Sequence, residues 1–146
     1  MAENLRSTVR VLVVDDYVPF RRFVLSELGK SPELQIIGEA SDGLEAVRKA
    51  EELQPDLIVL DIGLPKLNGI EAGKRIHEVV PGAKILFVTQ NNDVDIVRAV
   101  LSNGASGYVL KPDASKELLQ AVKAVLQGDR FVSKGVNQGD ESPFLG

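Results

Sequence analysis

The chain contains no cysteine. A disulfide framework and any cysteine-ligated metal are thereby excluded, and a reducing cytosol is the natural setting. No apolar run approaches the length that crosses a bilayer, and the polar start, MAENLRSTVR, is followed by no apolar segment of signal-peptide length. The sequence therefore reads as soluble and cytoplasmic, with no membrane partner. Basic clusters are missing as well. Lys and Arg come at most in pairs such as Arg21-Arg22 and Arg48-Lys49, and the net charge is -4. Direct nucleic-acid binding by this chain is disfavoured on that ground. Neither a P-loop nor a G-x-G-x-x-G stretch occurs, so nucleotide binding has no motif to stand on.

What is present is a rhythm. The 146 residues, 44% of them hydrophobic, suit one domain with a single core. Short Val/Ile/Leu runs at Arg10–Asp15, Gln35–Ala40, Leu57–Asp61, Lys84–Thr89 and Gly107–Leu110 are nearly continuous, as in strands covered on both faces. Between them, apolar residues recur at helical spacing near Pro19–Gly29, Leu44–Leu53, Ile70–Val80, Val94–Ser102 and Lys116–Gln127. Pro19 suits a first helical turn, and Asp42 with Glu45 resembles a capping box. Asn92 or Asp93 can cap the fourth helix, Gly104 can end it, and Asp113 or Ser115 can cap the fifth.

This alternation predicts an α/β fold, a parallel sheet sandwiched by helices with right-handed crossovers. The flavodoxin-like strand order 2-1-3-4-5 is one common solution and the Rossmann order another, and periodicity does not choose between them. The expected organisation is a flexible segment over 1–9, one domain over 10–131 and an irregular tail over 132–146, where Phe144 and Leu145 are the only large apolar residues near the end.

The chemistry sits at strand ends. Asp15 and Asp16 follow the first strand, in RVLVVDDYVP, and Asp61 ends the third, in DLIVLDIGLP. Carboxylates about 5 Å apart repel by about 3 kcal/mol at an effective dielectric near 20, so the acids must share a proton or a cation. Hard oxygen ligands with room left for water suit Mg²⁺. Thr89, in KILFVTQ, and Lys111, in GYVLKP, end the fourth and fifth strands. In the 2-1-3-4-5 order Asp16, Asp61, Thr89 and Lys111 line one rim. A carboxylate nucleophile, a divalent metal, a hydroxyl and a fixed ammonium are what an aspartyl phosphate requires.

VLVVDD, PDLIVLDIGLPKLNGIEA, KILFVTQ and GASGYVLKP together resemble the receiver (CheY-like) domain of two-component response regulators, over roughly Arg10 to Phe131. GEASDGLEAV and GASGYVLK further resemble the NarL/FixJ/LuxR-type subgroup. The resemblance implies a (βα)5 three-layer sandwich with a five-stranded parallel sheet. It implies Asp61 as phosphoacceptor from a sensor histidine kinase or phosphotransfer protein. Asp16 and Asp61 become direct Mg²⁺ ligands, supported by Asp15 and by the Gly63 carbonyl. Thr89 and Tyr108 become a switch pair, and Lys111 contacts the phosphoryl group. Lys111–Pro112 matches a bond that is often cis in the family. The family's members can pair as homodimers and regulate transcription through an attached output domain.

Plainer readings stand beside these. Singly, Asp61 is a solvated cap, Lys111 a surface lysine, Thr89 a strand residue and Tyr108 a packed aromatic. Pro65, Asn68 and Gly69 are turn chemistry, and His77, the only histidine, falls on a solvated helix face. Gln90 departs from the smaller residue many receivers carry, and Gly63 and Asn91 fall where the family tunes dephosphorylation. The rival functions are an unphosphorylated pseudo-receiver serving as an interaction module, and a Mg²⁺-dependent phosphohydrolase. The hydrolase usually carries Asp-x-Asp on its first strand, whereas this chain has Asp-Asp-Tyr and no cap insertion. No helix-turn-helix fits after Phe131, so the sequence reads as a stand-alone receiver or as the receiver half of a regulator.

Overall fold

The computed structural model describes residues 8–139. Six strands, β1 (Val9–Val14), β2 (Leu34–Ala40), β3 (Leu57–Leu60), β4 (Lys84–Thr89), β5 (Gly107–Leu110) and β6 (Phe131–Val132), form one sheet in the order 2-1-3-4-5-6. Every pairing is parallel. The helices are α1 (Val18–Leu28), α2 (Gly43–Leu53), α3 (Gly69–Val79), α4 (Val94–Ser102), α5 (Ala114–Leu126) and α6 (Lys134–Gly139). The flavodoxin-like order is thus the one adopted, extended by a short sixth strand.

Alternation along the strands builds the three layers. Leu12, Val14, Ile58, Leu60, Phe87 and Tyr108 face α2, α3 and α4, packing on Ala46, Ile76 and Val97. Val11, Val13, Leu57, Val59, Val88 and Val109 face α1 and α5, packing on Val24, Leu118 and Val122. Both faces of β3, and of β1 from Val11 to Val14, are covered, which explains their unbroken apolar runs.

The helix starts follow their caps. Asp42 accepts from the Glu45 N–H at 2.7 Å, while the Glu45 carboxylate reaches back to the Ser41 N–H at 2.8 Å, one residue beyond the usual box. Asp93 caps α4 through the Asp95 N–H, and Pro19 occupies the first turn of α1. Gly104, at φ +100°, stands just beyond the end of α4.

Several expectations are corrected. Val9, assigned to the N-terminal segment, is the first residue of β1 and pairs with Leu34; the rest of that segment, up to Ser7, lies outside the described residues. The expected irregular tail is ordered over its first part, as β6 and α6. Gly107 and Tyr108 pair with Phe131 and Val132, and Val136 is buried in the core. A fully buried hydroxyl explains the docking. Ser133 Oγ accepts from the Leu110 N–H at 3.1 Å and donates to the Glu117 carboxylate, satisfying groups on β5 and α5 together. Phe144 and Leu145 lie outside the described residues. Asp113 precedes α5 but makes no capping bond, because its carboxylate lies 3.3 Å from Ser133 Oγ. The Lys111–Pro112 bond is trans, with Pro112 inside a 3-10 turn, Lys111–Asp113, that leads into α5.

Candidate functional site

Register dictates what meets at the carboxyl edge of the sheet. Val14 is level with Leu60, so the next residues, Asp15 and Asp61, stand side by side. The Asp15 N–H is held by the Ala40 carbonyl and the Asp61 N–H by the Val14 carbonyl, each at 3.1 Å. Thr89 is level with Leu110, which places Lys111 one residue beyond it. Since Leu60 and Leu110 face α2–α4, Asp61 and Lys111 leave the sheet toward α1.

There they converge. Lys111 Nζ lies 2.9 Å from Asp15 Oδ2 and 3.2 Å from Asp61 Oδ2, with only 11% of its side chain exposed. Each acid spends its other oxygen locally: Asp15 Oδ1 accepts from the Tyr17 N–H at 2.9 Å and Asp61 Oδ1 from the Ile62 N–H at 2.7 Å. Asp16 is exposed, and one carboxylate oxygen from each of Asp15, Asp16 and Asp61 lies within 4.8 Å of the others. That donor set is all hard oxygen, partly solvated and anionic, and it fits a small divalent cation such as Mg²⁺.

Burial pushes the Asp15 carboxyl above its ordinary value; the Lys111 hydrogen bond and the Tyr17 N–H pull it back, and the Asp61 charge pushes it up again. Burial also opposes the Lys111 ammonium, but the bond to Asp15 and the Asp61 charge outweigh it, so Lys111 titrates above the ordinary lysine range. It is a fixed cation.

A cleft of about 310 Å³ opens beside these groups, lined by Asp61, Gly63, Thr89, Gln90, Asn91 and Lys111. Thr89 is buried, and its Oγ1 accepts from the Asn91 N–H at 3.4 Å. Tyr108 is fully buried, and its hydroxyl donates to the Asn91 carbonyl. Burial, with the charges of Asp61 and Asp93 behind it, raises the Tyr108 phenol far above its usual range, so it stays a donor. Thr89 and Tyr108 are thus joined through the main chain of Asn91. Asp15, Asp61 and Lys111 are in direct contact, and Asp16, Gly63 and Thr89 complete the rim. His77 is exposed and on α3, away from these groups.

Three residues carry more than their sequence signal announced. Gly69 reads as turn chemistry, yet a Cβ there would fall 1.9 Å from the Asp61 carbonyl oxygen. The start of α3 presses on the backbone of Asp61, and only glycine fits. Arg21 on α1 donates to the Asp15 carbonyl at 2.7 Å and to Glu39 on β2 at 2.8 Å, bracing the acid-bearing loop. Asn91 joins the two candidate switch residues. None of these contacts has a sequence spacing that would reveal it.

Comparison with known proteins agrees with this geometry. The response regulator receiver domain family matches residues 11–123. The transcriptional regulatory protein DegU of Brevibacillus brevis is 36% identical over 124 residues, 85% of this chain and 52% of DegU. The nitrate/nitrite response regulator protein NarL of Escherichia coli K12 is 34% identical over 127 residues, 86% of this chain and 58% of NarL. This chain thus spans little more than half the length of either. A crystal structure of a LuxR-family two-component response regulator from Aurantimonas superposes with a TM-score of 0.88 at 33% identity, covering 95% of this chain and 99% of that one. With the sheet order, the acid cluster and this match in agreement, the chain belongs to the response regulator receiver domain family, among its NarL/LuxR-type members.

Proposed function

We propose that this receiver takes a phosphoryl group on Asp61 from a phosphohistidine of a sensor kinase or phosphotransfer protein. The observation that carries the reading is the Lys111 ammonium fixed between Asp15 and Asp61 at the mouth of an open cleft. Asp15, Asp16 and Asp61, together with the Gly63 carbonyl, would hold Mg²⁺, which when bound neutralises charge on the phosphoryl oxygens. An Asp61 carboxylate oxygen attacks phosphorus. The bond to the donor's imidazole nitrogen breaks as the new P–O bond forms, and the imidazole keeps the electron pair. Lys111 moves its hydrogen bond to a phosphoryl oxygen, and Thr89 Oγ1 donates to another.

The added charge then biases the Thr89–Asn91 segment, and through Asn91 the Tyr108 hydroxyl, so the surface formed by α4, β5 and α5 changes shape. A partner protein, a second copy of the chain or an attached output domain reads that surface, in the cytoplasm where the donor is made. The chain acts on itself only, catalysing its own phosphorylation and dephosphorylation.

Incubation with acetyl phosphate and Mg²⁺, read by intact mass, tests this. One phosphoryl adduct is expected on the wild type and none on Asp61→Asn. An adduct that survives the substitution refutes the assignment. Absence of an adduct with any donor, kinases included, makes the chain a pseudo-receiver, and rapid turnover of unrelated phosphate esters makes it a hydrolase.

A further inference from the structure

Lys111 has a third neighbour. Phe20 stands on the first turn of α1, and Lys111 Nζ lies over its ring, 4.6 Å from the centroid. That is within the range at which an ammonium is attracted to an aromatic face. The ring is itself held: its centroid is 5.4 Å from that of Phe23, tilted by 39°, and both pack against the core layer of α1 and α5. The ammonium therefore sits in a socket with two carboxylates on one side and a fixed apolar face on another.

The chemistry of lysine makes that face matter. Its four-carbon stem is flexible and its ammonium is a point charge with three donors, able to follow any acceptor. Asp15 and Asp61 satisfy two donors. When an oxygen arriving on Asp61 changes that arrangement, the carboxylate contacts must loosen, and the Phe20 face is the neighbour that takes no part in the exchange. We propose that Phe20 is a positioning residue for Lys111, its ring holding the ammonium at the height where it meets a phosphoryl oxygen on Asp61. This rests on the reading of Asp61 as phosphoacceptor, and the experiment separates the two.

Phe20→Leu keeps an apolar side chain and removes the ring; Phe20→Tyr keeps the ring. Single-turnover phosphorylation by acetyl phosphate is expected to slow by about two- to fivefold in Phe20→Leu, the loss of one cation–π contact, and to recover in Phe20→Tyr. In a Lys111→Met background, Phe20→Leu should add no further slowing. The second readout needs no phosphorylation. The Lys111 ε-methylene resonances, shielded by the ring face, should move downfield in Phe20→Leu and stay shielded in Phe20→Tyr. Resonances that do not move, or slowing that persists undiminished without Lys111, would overturn the proposal. If the wild type takes no phosphoryl group, the Asp61 reading fails by itself, and the resonances still decide whether Phe20 holds Lys111.

Discussion

Removing the Lys111 ammonium should unsettle the whole domain, because two buried acids then face each other unpaired. At an effective dielectric near 20, an ammonium 2.9 Å from one carboxylate and 3.2 Å from another attracts each by about 5–6 kcal/mol. Two carboxylates separated by the 4.8 Å limit of the cluster repel by about 3.5 kcal/mol. Desolvation offsets much of the attraction, and breaking a buried pair from one side costs about 3–5 kcal/mol net. Lys111→Met is expected to lose that much in urea unfolding followed by far-UV circular dichroism at neutral pH. Adding Asp61→Asn should return about 2–3 kcal/mol, since it removes most of the repulsion. Mg²⁺ should stabilise Lys111→Met more than the wild type, as a second cation would. A Lys111→Met protein within about 1 kcal/mol of the wild type, below the range for a broken buried pair, or one that Asp61→Asn destabilises further, would refute the electrostatic reading.

Three further outcomes follow from the structure. Gly69→Ala places a methyl 1.9 Å from the Asp61 carbonyl; it should cost about 3 kcal/mol, the upper end for overpacking, and slow phosphorylation, both read on the purified variant. Asp42→Ala should lose about 1 kcal/mol in chemical denaturation as the α2 cap disappears. The Glu45 N–H holds the Asp42 carboxyl below its ordinary 3.8, so the difference from wild type should be full above that pH and vanish as pH falls through the lowered value. Ser133→Ala leaves the Leu110 N–H and the Glu117 carboxylate without their hydroxyl; it should cost about 1–3 kcal/mol and raise amide exchange in β6 and α6.

The site was legible in the sequence for a physical reason. In a parallel sheet each strand ends at the same edge, so Asp15, Asp61, Thr89 and Lys111, each just at or past an apolar run, had to share a rim once the order was known. Whatever depended on close approach was not legible. Gly69 looks the same in an open turn as where an added Cβ would fall 1.9 Å from a carbonyl oxygen. Arg21 reaches a partner on β2 that no helical spacing predicts. The two residues of β6 are too few to show a period, and their order comes from β5 and from Ser133, not from propensity. Asp113 has the chemistry and the place of a cap but lies against Ser133, a contact decided by tertiary packing.

Trapping the phosphorylated side chain tests the central claim most directly. Borohydride reduces an acyl phosphate to the alcohol, so protein treated with acetyl phosphate and Mg²⁺, reduced and mapped by peptide mass spectrometry should carry homoserine at position 61 and nowhere else. Homoserine at position 15 or 16, or an unreduced Asp61 in protein that bears the adduct, would contradict the account.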